Sequence, residues 1–201
     1  MVSVFAVVAM SYLIGAIPFG YIIAKSKGVD ILKHGSGAIG ATNVLRTLGT
    51  GPAVLSLVLD ALKGVSVVTL ARALSAPTDA LSPVLAGFAA MAGHSFSPFI
   101  RFRGGKGVAT GAGVLIALMP QMAVYAVLVF GVVVAITRYV SLGSMLAAVV
   151  AATAAWYTRQ PWPYLLFVTP AAALVVFQHR ANIRRLLSGK ESKLGERVNV
   201  K

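Results

Sequence analysis

Seven stretches of this chain are apolar enough to lie in a bilayer, and once they are placed little sequence remains for anything else. They run near 3–25, 52–75, 80–97, 107–120, 121–138, 141–158 and 163–180. A helix needs about 17–25 residues to cross roughly 30 Å of hydrocarbon, fewer where neighbours shield it. The fourth stretch is short, and its boundary with the fifth, at Met119-Pro120-Gln121, is marked by only a slight drop in hydropathy. Charged residues make up 11% of the chain and apolar ones 58%, whereas soluble domains average about 25% charged. So little charge cannot cover a surface that faces water. The expected fold is an all-α integral membrane protein, a single polytopic domain over residues 1–201.

The cations then orient the spans. An odd number of crossings puts the termini on opposite sides. With the N-terminus outside, Lys25, Lys27, Lys33 and Arg46 face the cytoplasm, as do Arg101, Arg103, Lys106 and Arg138. The tail adds Arg180, Arg184, Arg185, Lys190, Lys193, Arg197 and Lys201. That makes fifteen inside against Arg72 and Arg159 outside, with Lys63 within a span, and positive residues belong on the cytoplasmic side. The sequence therefore predicts seven transmembrane helices, N-terminus outside, C-terminus cytoplasmic. The first stretch, Val4 to Ala24, is followed rather than preceded by its cations Lys25 and Lys27, so it is expected to be a retained helix and not a cleaved leader.

A net charge of +13 calls for anionic partners. The basic residues come in short patches between apolar spans, so no nucleic acid is expected. Anionic membrane lipid alone accounts for the tail from Lys190 onward, at about 1 kcal/mol per cation near the surface. The chain has no Cys, three His and five acids. Disulfides and thiol chemistry are excluded, and neither a metal site nor a cofactor is expected.

Three polar clusters stand apart from this background. The first runs from His34-Gly35-Ser36-Gly37 through Gly40-Ala41-Thr42-Asn43 to Arg46. Gly35, Gly37 and Gly40 match GxGxxG, with Asp60 twenty residues on, but the dinucleotide motif needs a preceding strand and a βαβ unit. Here a membrane helix precedes it. Glycines that free backbone N–H groups can instead form an anion-binding nest. Asn43 and Arg46, three residues apart, would share one face of a short helix, although a simple loop-to-helix cap explains the segment equally well.

The second cluster is Gly93-His94-Ser95, then Phe96 to Arg103, then Gly104-Gly105-Lys106-Gly107-Val108-Ala109-Thr110. A lysine between glycines suits backbone wrapped closely around a phosphate, with the ammonium as point charge, but the GxxxxGK[ST] spacing fails. Phe96, Phe99 and Phe102 recur every three residues, which predicts a short interfacial helix near 96–103. A lone histidine such as His94 is most often packed and hydrogen-bonded. In the third cluster His179, Asn182 and Arg185 follow at i, i+3 and i+6, one stripe of a helix. Cations there could merely complement a helix C-terminus, but a His and an Asn on the same stripe are not needed for that.

Asp60 and Lys63 lie one turn apart within the second stretch. A lone charge at mid-bilayer costs about 2.5–3.5 kcal/mol, so a structural ion pair is expected. Gly107 with Gly111, and Gly15 with Gly20, would let helices approach closely.

Taken together, these residues resemble the signatures of the bacterial acyl-phosphate:glycerol-3-phosphate acyltransferase family. The likeness runs through Gly35-Ser36-Gly37 and Gly40 to Asn43 and Arg46. It continues through Gly93-His94, Gly104 to Thr110, and His179-Arg180 with Asn182-Ile183. Tyr12, Pro18-Phe19-Gly20 and Asp60 with Leu62-Lys63-Gly64 fit as well, so nearly the whole chain is covered in the family's order. Ala38 stands where the family usually has Asn, and Pro98 is displaced by one position; neither change touches a cation.

The resemblance implies transfer of a fatty acyl group from acyl phosphate to the 1-hydroxyl of glycerol 3-phosphate at the cytoplasmic face of the bacterial inner membrane. Lysophosphatidate and phosphate result, in the first acylation step of phospholipid biosynthesis. Ser36, Lys106 and His179 are the expected catalytic residues. Asn43, Arg46, Gly104, Gly105, Gly107, Thr110 and Asn182 are the expected substrate contacts, and membrane lipid takes the acyl tail. An acyl phosphate is already activated, so positioning and charge stabilisation would suffice. Either His179 or the substrate's own phosphate would take the proton. The H-x4-D acyltransferase signature is absent, since Ile39, Phe99 and Arg184 stand five residues after the three histidines. The alternative class is a transporter or lipid-binding protein for phosphorylated solutes. It is disfavoured because no inverted repeat is visible and the polar clusters gather on one side.

Overall fold

Prolines and left-handed residues cut the apolar sequence into helices. The computed structural model describes residues 2–198, and among them no strand occurs; Lys201, counted above with the inner cations, lies outside that range. The first apolar stretch is two helices, α1 (Val4–Ala16) and α2 (Phe19–Ser26). A proline disfavours helical backbone in the residue before it, and Ile17, before Pro18, turns to ψ 116°. Then come α3 (Ala41–Leu48), α4 (Thr50–Leu74) and α5 (Leu81–Ser95). The weak boundary at Met119 is a real break, made by the same device: α6 (Val108–Leu118) stops and α7 (Pro120–Thr137) starts at Pro120. Arg138 at φ 61° ends α7, and α8 (Val140–Tyr157), α9 (Trp162–Gln178) and α10 (Arg180–Leu187) complete the chain.

All seven apolar stretches are thus helical. The span of α1 with α2, and α4, α7 and α8, are long and apolar enough to cross a membrane, and α9 with α10, bent by 55°, would be a fifth. At 15 and 11 residues, α5 and α6 fall short of that length by themselves. The interfacial helix expected near 96–103 is only one 3-10 turn, Pro98–Ile100. Arg101 and Phe102 both sit at positive φ, which ends helical winding at once. Phe96, Phe99 and Phe102 are nonetheless exposed.

Small residues set the packing. A Cβ on Gly15 would collide with the Ala90 backbone, and one on Gly93 with that of Tyr12, so α1 and α5 touch backbone to backbone. Gly64 and Gly113 join α4 to α6 in the same way. Gly20 abuts the Ile39 carbonyl in the loop before α3 rather than another helix, and Gly111 faces only the Met91 side chain. Val67, Val84, Met91, Val114, Met122 and Phe167 fill the main core. Val127, Leu128 and Ile136 on α7 point outward and are well exposed, a surface that hydrocarbon, not water, would solvate.

Candidate active site

Four connections meet at one end of the bundle: the loop before α3, the glycine loop before α6, the α7–α8 junction and the start of α10 with the tail behind it. At their centre is Lys106, whose Nζ donates to Asn182 Oδ1 at 2.5 Å. Asn182 Nδ2 donates in turn to Glu191 Oε1 at 2.6 Å. Ser141 Oγ reaches the same oxygen at 2.8 Å, and Arg185 Nε donates to Oε2 at 2.7 Å. Burial alone would raise the Glu191 carboxyl, but hydrogen bonds from Asn182, Ser141 and Arg185 outweigh it and hold the group below the ordinary glutamate range. Burial pulls the Lys106 ammonium down to about 8; Glu191 opposes that shift, while the charges of Arg185 and Arg46 reinforce it. Three cations therefore sense one another around a single carboxylate.

The glycine loop is shaped for close approach. Gly105 N–H donates to His94 O at 3.1 Å, and Cβ atoms on Gly104 or Gly105 would strike His94 itself. Gly107 at φ 76° is the N-cap of α6. Among the described residues, the amides of Lys106 and Gly107 find no protein acceptor. They lie at the N-terminus of α6, where the dipole favours an anion. His179, at the bend between α9 and α10, pairs its Nδ1 with Val175 O at 2.7 Å. That bond makes Nδ1 the donor and leaves Nε2 as acceptor.

The structure brings Lys106, Asn182, His179 and Arg46 to this end. Arg46 is held there by the tail: it donates to Ser192 O at 3.2 Å, and Val198 N–H donates to Arg46 O at 3.0 Å. Two expected substrate contacts are placed differently. Asn43 is buried, with Oδ1 taking the Ser36 amide at 2.9 Å and Nδ2 donating to His34 O and Ala38 O. Its side chain is spent on folding its own loop, and the Ala38 contact uses only backbone. Thr110 is fully buried one turn below the loop, with no surface to offer a substrate. Ser36 is exposed. Sequence reasoning missed Glu191 and Ser141. The tail from Lys190 does more than attract lipid, since Glu191 meets α8, Ser192 meets α3 and Leu194 meets Arg138 at the α7–α8 junction.

Beneath the loop lies an apolar cavity of about 340 Å³, bounded by Val108, Leu115, Phe130, Ala147, Phe167 and Val175 among others. It touches the polar site at two points: Val108 follows Gly107, and Val175 supplies the carbonyl that holds His179.

Fold and site define an integral membrane protein that sets an anion-attracting pocket directly beside an apolar cavity. Over residues 5–189 the chain matches the glycerol-3-phosphate acyltransferase family, and it belongs to that family. It is 49% identical to glycerol-3-phosphate acyltransferase 2 of Moorella thermoacetica, over 94% of this chain and 96% of that one. The corresponding Halalkalibacterium halodurans enzyme is 50% identical, over 93% of each. Among solved structures, the glycerol 3-phosphate form of PlsY, an integral membrane glycerol 3-phosphate acyltransferase, superposes with a TM-score of 0.92 at 40% identity over 96% of both chains. The lysophosphatidic acid form of the same protein gives 0.89.

Proposed function

We propose that this protein transfers a fatty acyl group from acyl phosphate to the 1-hydroxyl of glycerol 3-phosphate, releasing lysophosphatidate and inorganic phosphate. The observation that carries the reading is the juxtaposition just described: free amides and Lys106 at the head of α6, with an apolar cavity starting at the next residue, Val108. An amphiphile with a phosphate head and an acyl tail fits both at once.

In this reaction the glycerol hydroxyl oxygen attacks the acyl carbonyl carbon, the bond from that carbon to the phosphate oxygen breaks, and phosphate departs. Lys106, with the amides of Lys106 and Gly107 and the loop shaped by Gly104 and Gly105, holds one phosphate and stabilises the charge that grows on it. Arg46 and the exposed Ser36 engage the second phosphate or the glycerol. Asn182, held by Glu191, orients the acceptor. The hydroxyl proton passes to His179 Nε2 or to a substrate phosphate. Asn43 serves by fixing the Ser36 loop and Thr110 by supporting the loop from below. The chemistry needs no nucleophile on the protein, because the mixed anhydride is already activated.

The same reading gives seven crossings, with α5 and α6 shielded by their neighbours, the N-terminus outside, and the site on the cytoplasmic side of the bacterial inner membrane. Cysteines introduced at positions 2 and 192 of this Cys-free chain should be labelled from opposite sides of sealed vesicles; labelling from the same side would reject that topology.

Turnover of purified protein in detergent tests the reaction itself. Acyl phosphate with glycerol 3-phosphate should yield lysophosphatidate and phosphate in equal amounts, with EDTA present, while acyl-CoA and acyl carrier protein thioesters should yield none. Robust product from a thioester, or loss of activity with EDTA and rescue by Mg²⁺, would overturn it.

A further inference from the structure

Below the glycine loop is a buried lysine that the mechanism above does not use. Lys63, Asp60 and His94 are each under 5% exposed: 4%, 1% and 3%. Lys63 Nζ lies 2.8 Å from Asp60 Oδ1, 2.9 Å from His94 Nδ1 and 3.0 Å from Ile17 O. An ammonium has three protons and accepts nothing; Asp60 balances its charge, and His94 Nδ1 and Ile17 O accept hydrogen bonds from it. The last partner exists because Pro18 breaks the first span and leaves the carbonyls of Ala16 and Ile17 without helical partners. Ser97 Oγ takes the other one, at 2.6 Å. Asp60 and Lys63 on α4, the α1–α2 break, and the end of α5 are thereby tied together.

The bond from Lys63 has a chemical consequence. Since Lys63 donates, His94 Nδ1 must accept, and the neutral ring then carries its hydrogen on Nε2. That nitrogen sits against Gly105, where a Cβ would occupy its position. The His94 carbonyl takes the Gly105 amide from the other side. His94 therefore grips Gly105 by ring and backbone together, one residue before Lys106. Apolar side chains could fill the same volume, and replacing a buried ion pair in that way is often neutral or stabilising. They would not fix an imidazole in one tautomer and orientation.

We propose that Lys63, charge-balanced by Asp60, is a positioning residue for acyl transfer: through His94 it sets the path of Gly104–Gly107 and so the direction from which Lys106 meets a phosphate. This inference rests on the assignment of Lys106 to phosphate binding.

A double-mutant cycle separates positioning from mere support. Asp60→Asn with Lys63→Met removes both charges while keeping shape, and should leave the melting temperature within about 5 °C of the parent. In the presence of Lys106 the pair should lower kcat/KM at least about tenfold, since small misplacements of a positioning group cost rate steeply. In a Lys106→Met background the same pair should cost under about twofold, because the group it positions is gone. Equal losses in both backgrounds, or none with Lys106 present, would overturn the proposal. If the pair melts early, His94→Asn takes its place: it keeps an acceptor for Lys63 but withdraws the ring from Gly105, and the same comparison decides. A Lys106→Met protein as active as the parent would instead sink the phosphate assignment, and this inference with it.

Discussion

Two lysines, Lys63 in the buried core and the half-buried Lys106 in the glycine loop, show how one side-chain type serves opposite ends here. Lys63 is matched: His94 and Ile17 accept hydrogen bonds from it, and Asp60 balances its charge one for one. Lys106 has one direct hydrogen-bond partner, Asn182. The carboxylate beyond it, Glu191, also faces Arg185, and Arg46 stands close enough to shift Lys106. A balanced cluster has nothing to offer a ligand. An under-balanced one, with free amides alongside, holds its unspent capacity for an anion. Burial alone does not identify a site; the count of unmatched donors does.

Removing the unmatched lysine should have the largest effect. A charge-assisted hydrogen bond to a reacting phosphate is worth about 1.5–3 kcal/mol, so Lys106→Ala should lower acyl-transfer turnover by roughly one to two decades. Lys193→Ala should be nearly silent, since Lys193 is exposed and rests over the Tyr139 ring. Similar losses from both would erase the contrast between site and surface.

A smaller, graded effect should appear with pH. Lys106 is pulled down to about 8, chiefly by burial, and its function requires the charged form. Because the depressed group loses its proton as pH rises, kcat/KM, which reports the free enzyme, should fall above about pH 8. A bound phosphate stabilises the ammonium, so the alkaline limb of kcat should lie higher. A kcat/KM profile flat through this range would mean that Lys106 keeps its proton or is not needed.

Much of this was legible in the chain because it is local. The apolar stretches, the break before Pro120, the Asp60–Lys63 spacing and the three polar clusters each depend on neighbours in sequence. What escaped depends on long-range meetings. Glu191 looked like one more residue of a charged tail, and only folding brings it onto Asn182 and onto Ser141, fifty residues away. His94 carried no sign that Lys63 would reach it across thirty-one residues. Asn43 misled for a related reason: an amide beside an arginine suits a ligand and a loop staple equally, and the burial that separates the two is not written in spacing. The phenylalanine repeat suggested a helix, yet Arg101 and Phe102 take left-handed backbone that a period of three does not foretell.

The central claim is that the unmatched cations around Lys106 receive phosphate, and binding without turnover tests it most directly. Glycerol 3-phosphate titrated calorimetrically into the purified protein, with no acyl donor present, should bind saturably at one site. Lys106→Met should weaken that affinity at least about tenfold, in line with the loss of a charged hydrogen bond, and Lys193→Ala should leave it unchanged. Equal affinity in the parent and the Lys106→Met protein would contradict the account.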